Sequence, residues 1–152
     1  MGVSLGLCYR YFDSKQILFN TAIDLYIEEC CNSYLAILHD STITIKDKID
    51  ALFTSIGDEH SNMQYYDFFH RVENEELHEQ LSIKLCKYMY PHLLEAVKKA
   101  IAAKEIYIEN PEALISFIIY GQVGLLSKSN IDHHEVAKLL NQYVNQLMKF
   151  NP

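Results

Sequence analysis

The chain contains no tryptophan, and it has only five glycines and three prolines among its 152 residues. Such a small supply of turn-forming residues argues against a protein made of many short strands and favours long helices. Apolar residues make up 49% of the chain and charged residues 22%, a composition that excludes wholesale disorder. We therefore expect a folded, helical chain of the size of one domain.

Positive charge is also scarce, because 13 Lys and Arg face 20 Asp and Glu and leave a formal net charge of −7. Phosphate binding needs clustered positive charge, so this balance argues against a nucleic-acid coat protein or a binder of anionic membranes. The longest nearly apolar run, Ala113 to Leu126, is shorter than the roughly 20 residues that span a bilayer. No signal peptide is predicted, so we expect a cytoplasmic protein without a membrane partner.

Residue patterns that carry chemistry are missing as well. The four cysteines form no C-x-x-C motif, and we expect them to stay reduced. His133 and His134 stand beside Asp132 without the spacing of a zinc motif, and exposed side chains explain them better. Cys86 and His92 lack the third group and the oxyanion hole of a nucleophilic site. We therefore expect no catalytic residues, no cofactor and no metal site.

A helical repeat of apolar residues runs through most of the sequence. Asp13 and Gln16 form a capping box, which predicts a helix from Ser14 to His39. The apolar face of this predicted helix consists of Phe19, Ile23, Tyr26, Ile27, Cys30, Tyr34, Ile37 and Leu38.

Two further helices and a short aromatic helix between them are predicted next. A helix that starts at Thr44 is expected to end at Gly57, a residue favoured just after a helix. Asn74 is expected to cap a long helix, whose apolar stripe continues past Pro91 to Ile101. Proline inside a helix removes a hydrogen bond, so we expect one kinked helix at that point.

The last two predicted helices run from Glu112 to Lys128 and from His133 to Lys149. The order Asn110-Pro111-Glu112 is typical of a helix start, and Asp132 with Glu135 forms a second capping box. Because the first of these helices is apolar almost all round, it must be covered on several sides. Either the core of the same subunit or a second subunit can provide that cover. The whole pattern predicts an all-α fold.

The most specific signal is the stretch from residue 2 to residue 18, GVSLGLCYRYFDSKQIL. It resembles the recognition-helix signature of the TetR (tetracycline-repressor) family of bacterial transcriptional regulators, roughly G-V-S-x-G-[TL]-[LIF]-Y-x-[YH]-F-x-[ST]-K-x-x-L. The matching residues are Gly2, Val3, Ser4, Gly6, Tyr9, Tyr11, Phe12, Ser14, Lys15 and Leu18. Cys8 replaces a larger apolar residue of the pattern.

The resemblance implies a TetR-like protein in two parts. Residues 1–13 would be the remnant of a helix-turn-helix DNA-binding domain, and residues 14–152 would form a ligand-binding and dimerisation domain. Two helices precede the motif in the family, and the sequence given is expected to lack them and to bind operator DNA poorly as it stands. The residues expected to contact DNA are Ser4, Leu5, Gly6, Tyr9, Arg10, Tyr11 and Lys15. Leu5 can contact a thymine methyl group but cannot make a bidentate hydrogen bond to a base.

In the family, the central helices enclose an effector pocket and the last two helices of each subunit form the dimer interface. The implied ligand-binding residues are Tyr65, Tyr66, Phe69, His70, Tyr88, Met89, Phe117 and Tyr120. The implied interface residues are Ile118, Gly121, Leu125, Leu140, Tyr143 and Leu147. Tyrosine hydroxyls in a mainly apolar pocket suit an apolar or aromatic effector, either neutral or weakly anionic.

The resemblance thus implies a ligand-responsive regulator, a repressor, which binds operator DNA as a complete homodimer and releases it when a small molecule binds. The alternative left open is a truncated dimeric module that binds small molecules or a partner protein and does not bind DNA.

Overall fold

A computed structural model describes residues 10–59, 66–69, 71–126 and 132–150. This part of the chain is mostly helical, so the predicted all-α class is confirmed. Its elements are α1 (Lys15–His39), α2 (Ile45–Glu59), α3 (Tyr66–Phe69), a 3₁₀ helix (Val72–Asn74), α4 (Glu75–Ala102), β1 (Ile106–Tyr107), α5 (Pro111–Gly121), α6 (Val123–Leu126), α7 (His133–Leu147) and β2 (Lys149–Phe150).

Helix α1 has the predicted length but a different cap. Ser14 has an extended backbone, and its hydroxyl oxygen accepts a hydrogen bond of 3.2 Å from the backbone nitrogen of Ile17. Ser14 rather than Asp13 is therefore the N-cap. The helix ends at His39, because the next residue, Asp40, accepts hydrogen bonds from the backbone and hydroxyl of Thr42 and turns the chain.

Helix α2 begins as expected after Thr44, which pairs with Asp47. The hydroxyl of Thr44 donates to the carboxylate of Asp47 at 2.7 Å and accepts from the backbone nitrogen of Asp47 at 3.2 Å. The helix then continues through Gly57 to Glu59, so the predicted end at Gly57 is wrong. A glycine costs a helix only about 1 kcal/mol, which the buried side chains of Leu52 and Phe53 on the same helix outweigh.

Helix α4 is central to the fold, since it packs against both α1 and α5. It is continuous through Pro91, which confirms a single helix rather than two. Pro91 costs about 3 kcal/mol. Burial of the helix's apolar face offsets this cost, because Leu81, Ala96, Val97 and Ala100 are all buried.

The end of the described chain departs from the prediction in two places. The helix from Pro111 stops at Gly121, and α6 follows after a turn at Gln122. The rest of the predicted helix, residues 127 and 128, lies outside the described residues. The last helix stops at Leu147, because Lys149–Phe150 pairs antiparallel with Ile106–Tyr107. Its start is as predicted, since the carboxylate of Asp132 accepts hydrogen bonds from the backbone nitrogens of His134 and Glu135.

Two clusters of buried side chains hold these helices together. The larger cluster includes Leu38 of α1 and Val97 of α4 and contains most of the contact between α2 and α7. The smaller cluster contains Ile23 and Ile27 of α1 with Leu81 of α4. Among the described helices, none combines the length and the apolar character needed to cross a bilayer.

Candidate functional site

A cavity of about 250 Å³ lies among the helices, and side chains from α1 through α7 line it. On α1 its lining recurs every four residues, at Tyr26, Cys30, Tyr34 and Leu38. This spacing places the four side chains on one face of the helix. Helix α4 lines the opposite wall with His78, Leu81, Ser82, Leu85, Cys86, Met89, Leu93 and Val97. Helix α1, which carries the end of the residue 2–18 motif, and the central helix α4 thus form the main walls of the cavity.

The lining is apolar except for a few groups that can form hydrogen bonds. They are the hydroxyls of Tyr26, Tyr34 and Ser82, the imidazole of His78, the amide of Gln122 and the thiols of Cys30, Cys31 and Cys86. No Asp, Glu, Lys or Arg is among the described residues that line the cavity. The site therefore has the character of a small-molecule pocket, with many apolar contacts and few polar anchors.

The thiols of Cys31 and Cys86 in the cavity wall are neutral at ordinary pH. Burial raises the pKa of the Cys31 thiol to about 12, and nearby Cys30 and Cys86 add to this shift. Burial also raises the pKa of Cys86 to about 11. The Sγ atom of Cys86 donates a hydrogen bond of 3.2 Å to the carbonyl oxygen of Ile119. Since the thiolate is the reactive form, Cys31 and Cys86 are structural rather than nucleophilic groups.

Tyr26 lines the cavity beside Phe69 of α3. Its ring stacks on that of Phe69, with 5.1 Å between the ring centroids. Burial raises the pKa of Tyr26, and its hydrogen bond with Cys30 raises it further. The hydroxyl therefore keeps its proton, and its oxygen can accept a further hydrogen bond.

The structure brings only part of the predicted ligand-binding set to this cavity. Phe69 and Met89 line it, whereas Tyr88, Phe117 and Tyr120 do not. Tyr88 lies off the cavity-facing stripe of α4, and its ring lies against His92, with 5.7 Å between centroids. Phe117 is 69% exposed because the neighbouring residues Ile118 and Ile119 face the cavity instead. Tyr120 is also on the exposed side of α5.

The other predicted ligand-binding residues cannot be placed. Tyr65 and His70 lie outside the described residues, and for Tyr66 only the backbone, in α3, is described.

Sequence reasoning missed the α1 wall of the cavity. Tyr26, Cys30 and Tyr34 belong to the apolar stripe that the sequence shows, but a stripe of this kind does not tell a filled core from a hollow one. His78 and Ser82 on α4 had a usable signal, because their spacing of four adds polar groups to an otherwise apolar face.

Most of the predicted DNA-contacting residues cannot be placed either. Ser4, Leu5, Gly6 and Tyr9 lie outside the described residues. Arg10 and Tyr11 are helical and exposed, with Tyr11 77% accessible. Lys15 is exposed at the first position of α1.

The predicted interface residues divide into two groups. Gly121, Tyr143 and Leu147 are exposed on the surface of the subunit. The other three face inward: Leu140 is buried in the larger cluster, Leu125 packs against it, and Ile118 lines the cavity. These three side chains serve the subunit's own core.

Comparison with known proteins gives no match: no family matches the chain, and no curated protein or solved structure is significantly similar to it. Among the described residues, no group of three His, Cys, Asp or Glu side chains is placed to hold a metal ion. The cavity and the residue 2–18 motif are therefore the features from which a function can be inferred.

Proposed function

We propose that this protein is a ligand-responsive transcriptional regulator of the TetR type, a repressor that binds operator DNA as a complete homodimer. A small molecule in the cavity releases it from DNA. The observation that carries this proposal is the continuity between the motif and the cavity. Lys15 and Leu18, the last matched positions of the motif, belong to α1, and the same helix lines the cavity from Tyr26 to Leu38.

The exposed basic residues near the start of α1 support the DNA-binding part of the proposal. Arg10 and Lys15 are both accessible, and α1 carries no acidic residue in its first turn. The N-terminus of a helix favours an anion, so Lys15 and this terminus can bind one backbone phosphate together.

Exposed apolar side chains on the last helices support the dimer. Tyr143 is 50% exposed and Leu147 45%, one turn apart on α7. On α5, a Cβ added at Gly121 would meet no atom within 4 Å among the described residues, its own helix backbone aside. A second subunit can therefore approach this side closely and remove apolar surface from water.

The coupling between ligand and DNA would pass through α1. A ligand shifts an equilibrium only by its different affinity for the two states. Filling the cavity acts on the contact between α1 and α4. On the surface of the protein, an ion pair between Asp24 and Lys84, 2.8 Å apart, also joins these two helices. A small displacement of α1 would move Lys15 and the recognition segment before it.

The proposal is tested with the natural full-length gene product. Random duplex DNA is selected for binding, and the enriched duplex is titrated against wild type, Tyr11→Ala and Lys15→Gln. We expect enrichment of one sequence family and weaker binding by both variants. Lys87→Gln, an exposed lysine on α4, is the matched control and should bind as wild type does. Failure to enrich any duplex would contradict DNA binding and favour the module that binds only small molecules or proteins.

A further inference from the structure

The residues that line the cavity are spread along the helices that form its walls. Its lining on α4 extends from His78 to Val97, a length of about 28 Å at 1.5 Å per residue. On α1 it extends from Tyr26 to Leu38 in the same direction, since Ile27 packs with Leu81 in one cluster and Leu38 with Val97 in the other. A volume of about 250 Å³ spread over such a length is narrow. An extended chain fits this shape better than a fused-ring molecule.

The two ends of the cavity differ in polarity. At one end Tyr26, His78 and Ser82 lie near Phe69 and Leu81. At the other end Leu38, Val97, Val144 and Met148 form a wall that is apolar and buried. Tyr34 lies between Tyr26 and Leu38 on α1, and Gln122, which follows α5, also lines the cavity.

Ser82 is the best-placed anchor at the polar end. Its hydroxyl donates a hydrogen bond of 2.9 Å to the carbonyl oxygen of His78, one turn earlier on the same helix. The hydroxyl hydrogen is thus used, while the oxygen still has acceptor capacity toward the cavity. A ligand that donates an O–H or N–H therefore matches this end.

The charge of the lining limits the ligand further. Among the described lining residues there is no Lys or Arg to pair with an anion, and no Asp or Glu to pair with a cation. Moving an ionised group from water into such a site is unfavourable unless an opposite charge pairs with it. An ionised ligand would therefore bind at least tenfold more weakly than a neutral one of the same length.

We infer that the cavity binds an uncharged, elongated amphiphile, with its hydrogen-bonding end near Ser82 and Tyr26 and its hydrocarbon chain directed toward Val97 and Met148. This inference rests on the proposed function, in which the cavity receives the effector.

The test uses three probes of equal chain length on the full chain: 1-decanol, decanoate and decylammonium, titrated calorimetrically at pH 8. We expect 1-decanol to bind at least tenfold more tightly than either ionised probe. Ser82→Ala should weaken 1-decanol binding three- to tenfold, because the hydroxyl oxygen is lost. Gln80→Ala, an exposed neighbour on the same helix, should leave it unchanged. Tighter binding of an ionised probe, or no binding of any probe, overturns the inference.

A second measurement locates the bound probe. Saturating 1-decanol should slow alkylation of Cys30 by N-ethylmaleimide at least fivefold, as followed by peptide mass spectrometry, because Cys30 lines the cavity. Unchanged alkylation would place the probe elsewhere and overturn the inference.

If 1-decanol binds and protects Cys30 without changing operator affinity, the ligand class stands and the proposed regulatory function fails. If operator DNA is released by decanoate or decylammonium alone, the function stands and the ligand class fails.

Discussion

The thiol of Cys86 donates its hydrogen bond to the carbonyl oxygen of Ile119, across 3.2 Å. This contact joins α4 to α5, and both residues are buried and line the cavity. A hydrogen bond in such surroundings is poorly replaced by water, because the cavity wall is apolar. Cys86 therefore fixes one wall of the cavity as well as filling space in the core.

The first prediction concerns this contact. Replacing Cys86 by Ala removes the hydrogen bond and leaves unfilled volume, so we expect the free energy of unfolding to fall by about 1–3 kcal/mol. Urea unfolding followed by far-UV circular dichroism measures this change. Cys86→Val is the matched control, because it fills a similar volume without an S–H donor, and it should recover only part of the loss. Full recovery of stability in Cys86→Val would show that the hydrogen bond to Ile119 contributes nothing specific.

The second prediction concerns alkaline pH and Cys31. The pKa of this thiol is about 12 in the folded chain against an ordinary value of 9.0. Because the folded state disfavours the thiolate, the stability from the neutral thiol is fully present below pH 9 and is lost as the pH rises toward 12.

We expect the unfolding free energy of the wild type to decrease above pH 9, with Cys31 contributing up to about 1.4 kcal/mol per pH unit. Cys31→Ala should be less stable at pH 7, where it lacks the buried side chain, but should show a shallower decline between pH 9 and 11. Urea titrations at fixed pH values measure both slopes. Parallel pH profiles for the two proteins would refute the assignment to Cys31.

The sequence was sufficient to predict most helices, because their signals are local. Thr44 with Asp47 and Asp132 with Glu135 cap helices as expected, and the stripe on α1 names Ile23, Ile27 and Leu38, which are buried. A cap and an apolar stripe depend on residues within a few turns of one another, so they can be read without knowing the fold.

The missed features depend on residues far apart in sequence. The last helix ends at Leu147 because Lys149–Phe150 pairs with Ile106–Tyr107, a contact that no local pattern indicates. The side of α5 that faces the cavity was also not predictable, because this helix is apolar almost all round. Ile119 and Phe117 are both hydrophobic residues of the same helix, yet Ile119 is buried and Phe117 is exposed.

The third prediction concerns Asp50, which connects α2 to α7. One oxygen of its carboxylate accepts a hydrogen bond of 2.7 Å from Lys46, and the other accepts from Asn141 at 2.9 Å and Asn145 at 3.2 Å. Burial by itself raises the pKa of Asp50, but the hydrogen bonds from these residues outweigh it and lower the pKa below its ordinary value. The stability that the ionised group contributes is therefore present above pH 3.8 and is lost as the pH falls below it.

We expect Asp50→Ala to lower the free energy of unfolding by about 1–2 kcal/mol at pH 7, because the amide of Asn141 loses its acceptor and that of Asn145 loses one of its acceptors. Asp24→Ala removes an exposed ion pair with Lys84 and should cost less. Between pH 4 and 2, Asp50→Asn should lose stability less steeply than the wild type. Chemical unfolding across this pH range measures the difference, and identical acid profiles would count against the role of Asp50.

The fourth prediction concerns the phosphate contact of Lys15 and follows from the proposed function. With the selected operator duplex, Lys15→Gln should weaken binding and reduce the slope of log K against log salt concentration by about 1. Fluorescence anisotropy at several salt concentrations measures the slope. Lys87→Gln should leave the slope at the wild-type value. A weaker affinity with an unchanged slope would mean that Lys15 acts on folding rather than on a phosphate.

The fifth prediction concerns the proposed dimer. Tyr143 is half exposed on α7, so Tyr143→Arg places a charge on the subunit surface without disturbing the subunit's own core. In the dimer, the same arginine would lie in an apolar contact and lose water without gaining a partner. Analytical ultracentrifugation should therefore show a dimer for the wild type and a monomer for Tyr143→Arg, with the same helical circular dichroism spectrum for both.

Tyr107→Arg is the matched control, because Tyr107 is 64% exposed but lies on β1, away from the proposed interface helices. It should remain a dimer. A monomeric wild type would remove the homodimer from the proposed function. A dimeric Tyr143→Arg protein would move the interface to another surface, since a charge of this size cannot stay in an apolar contact without weakening association.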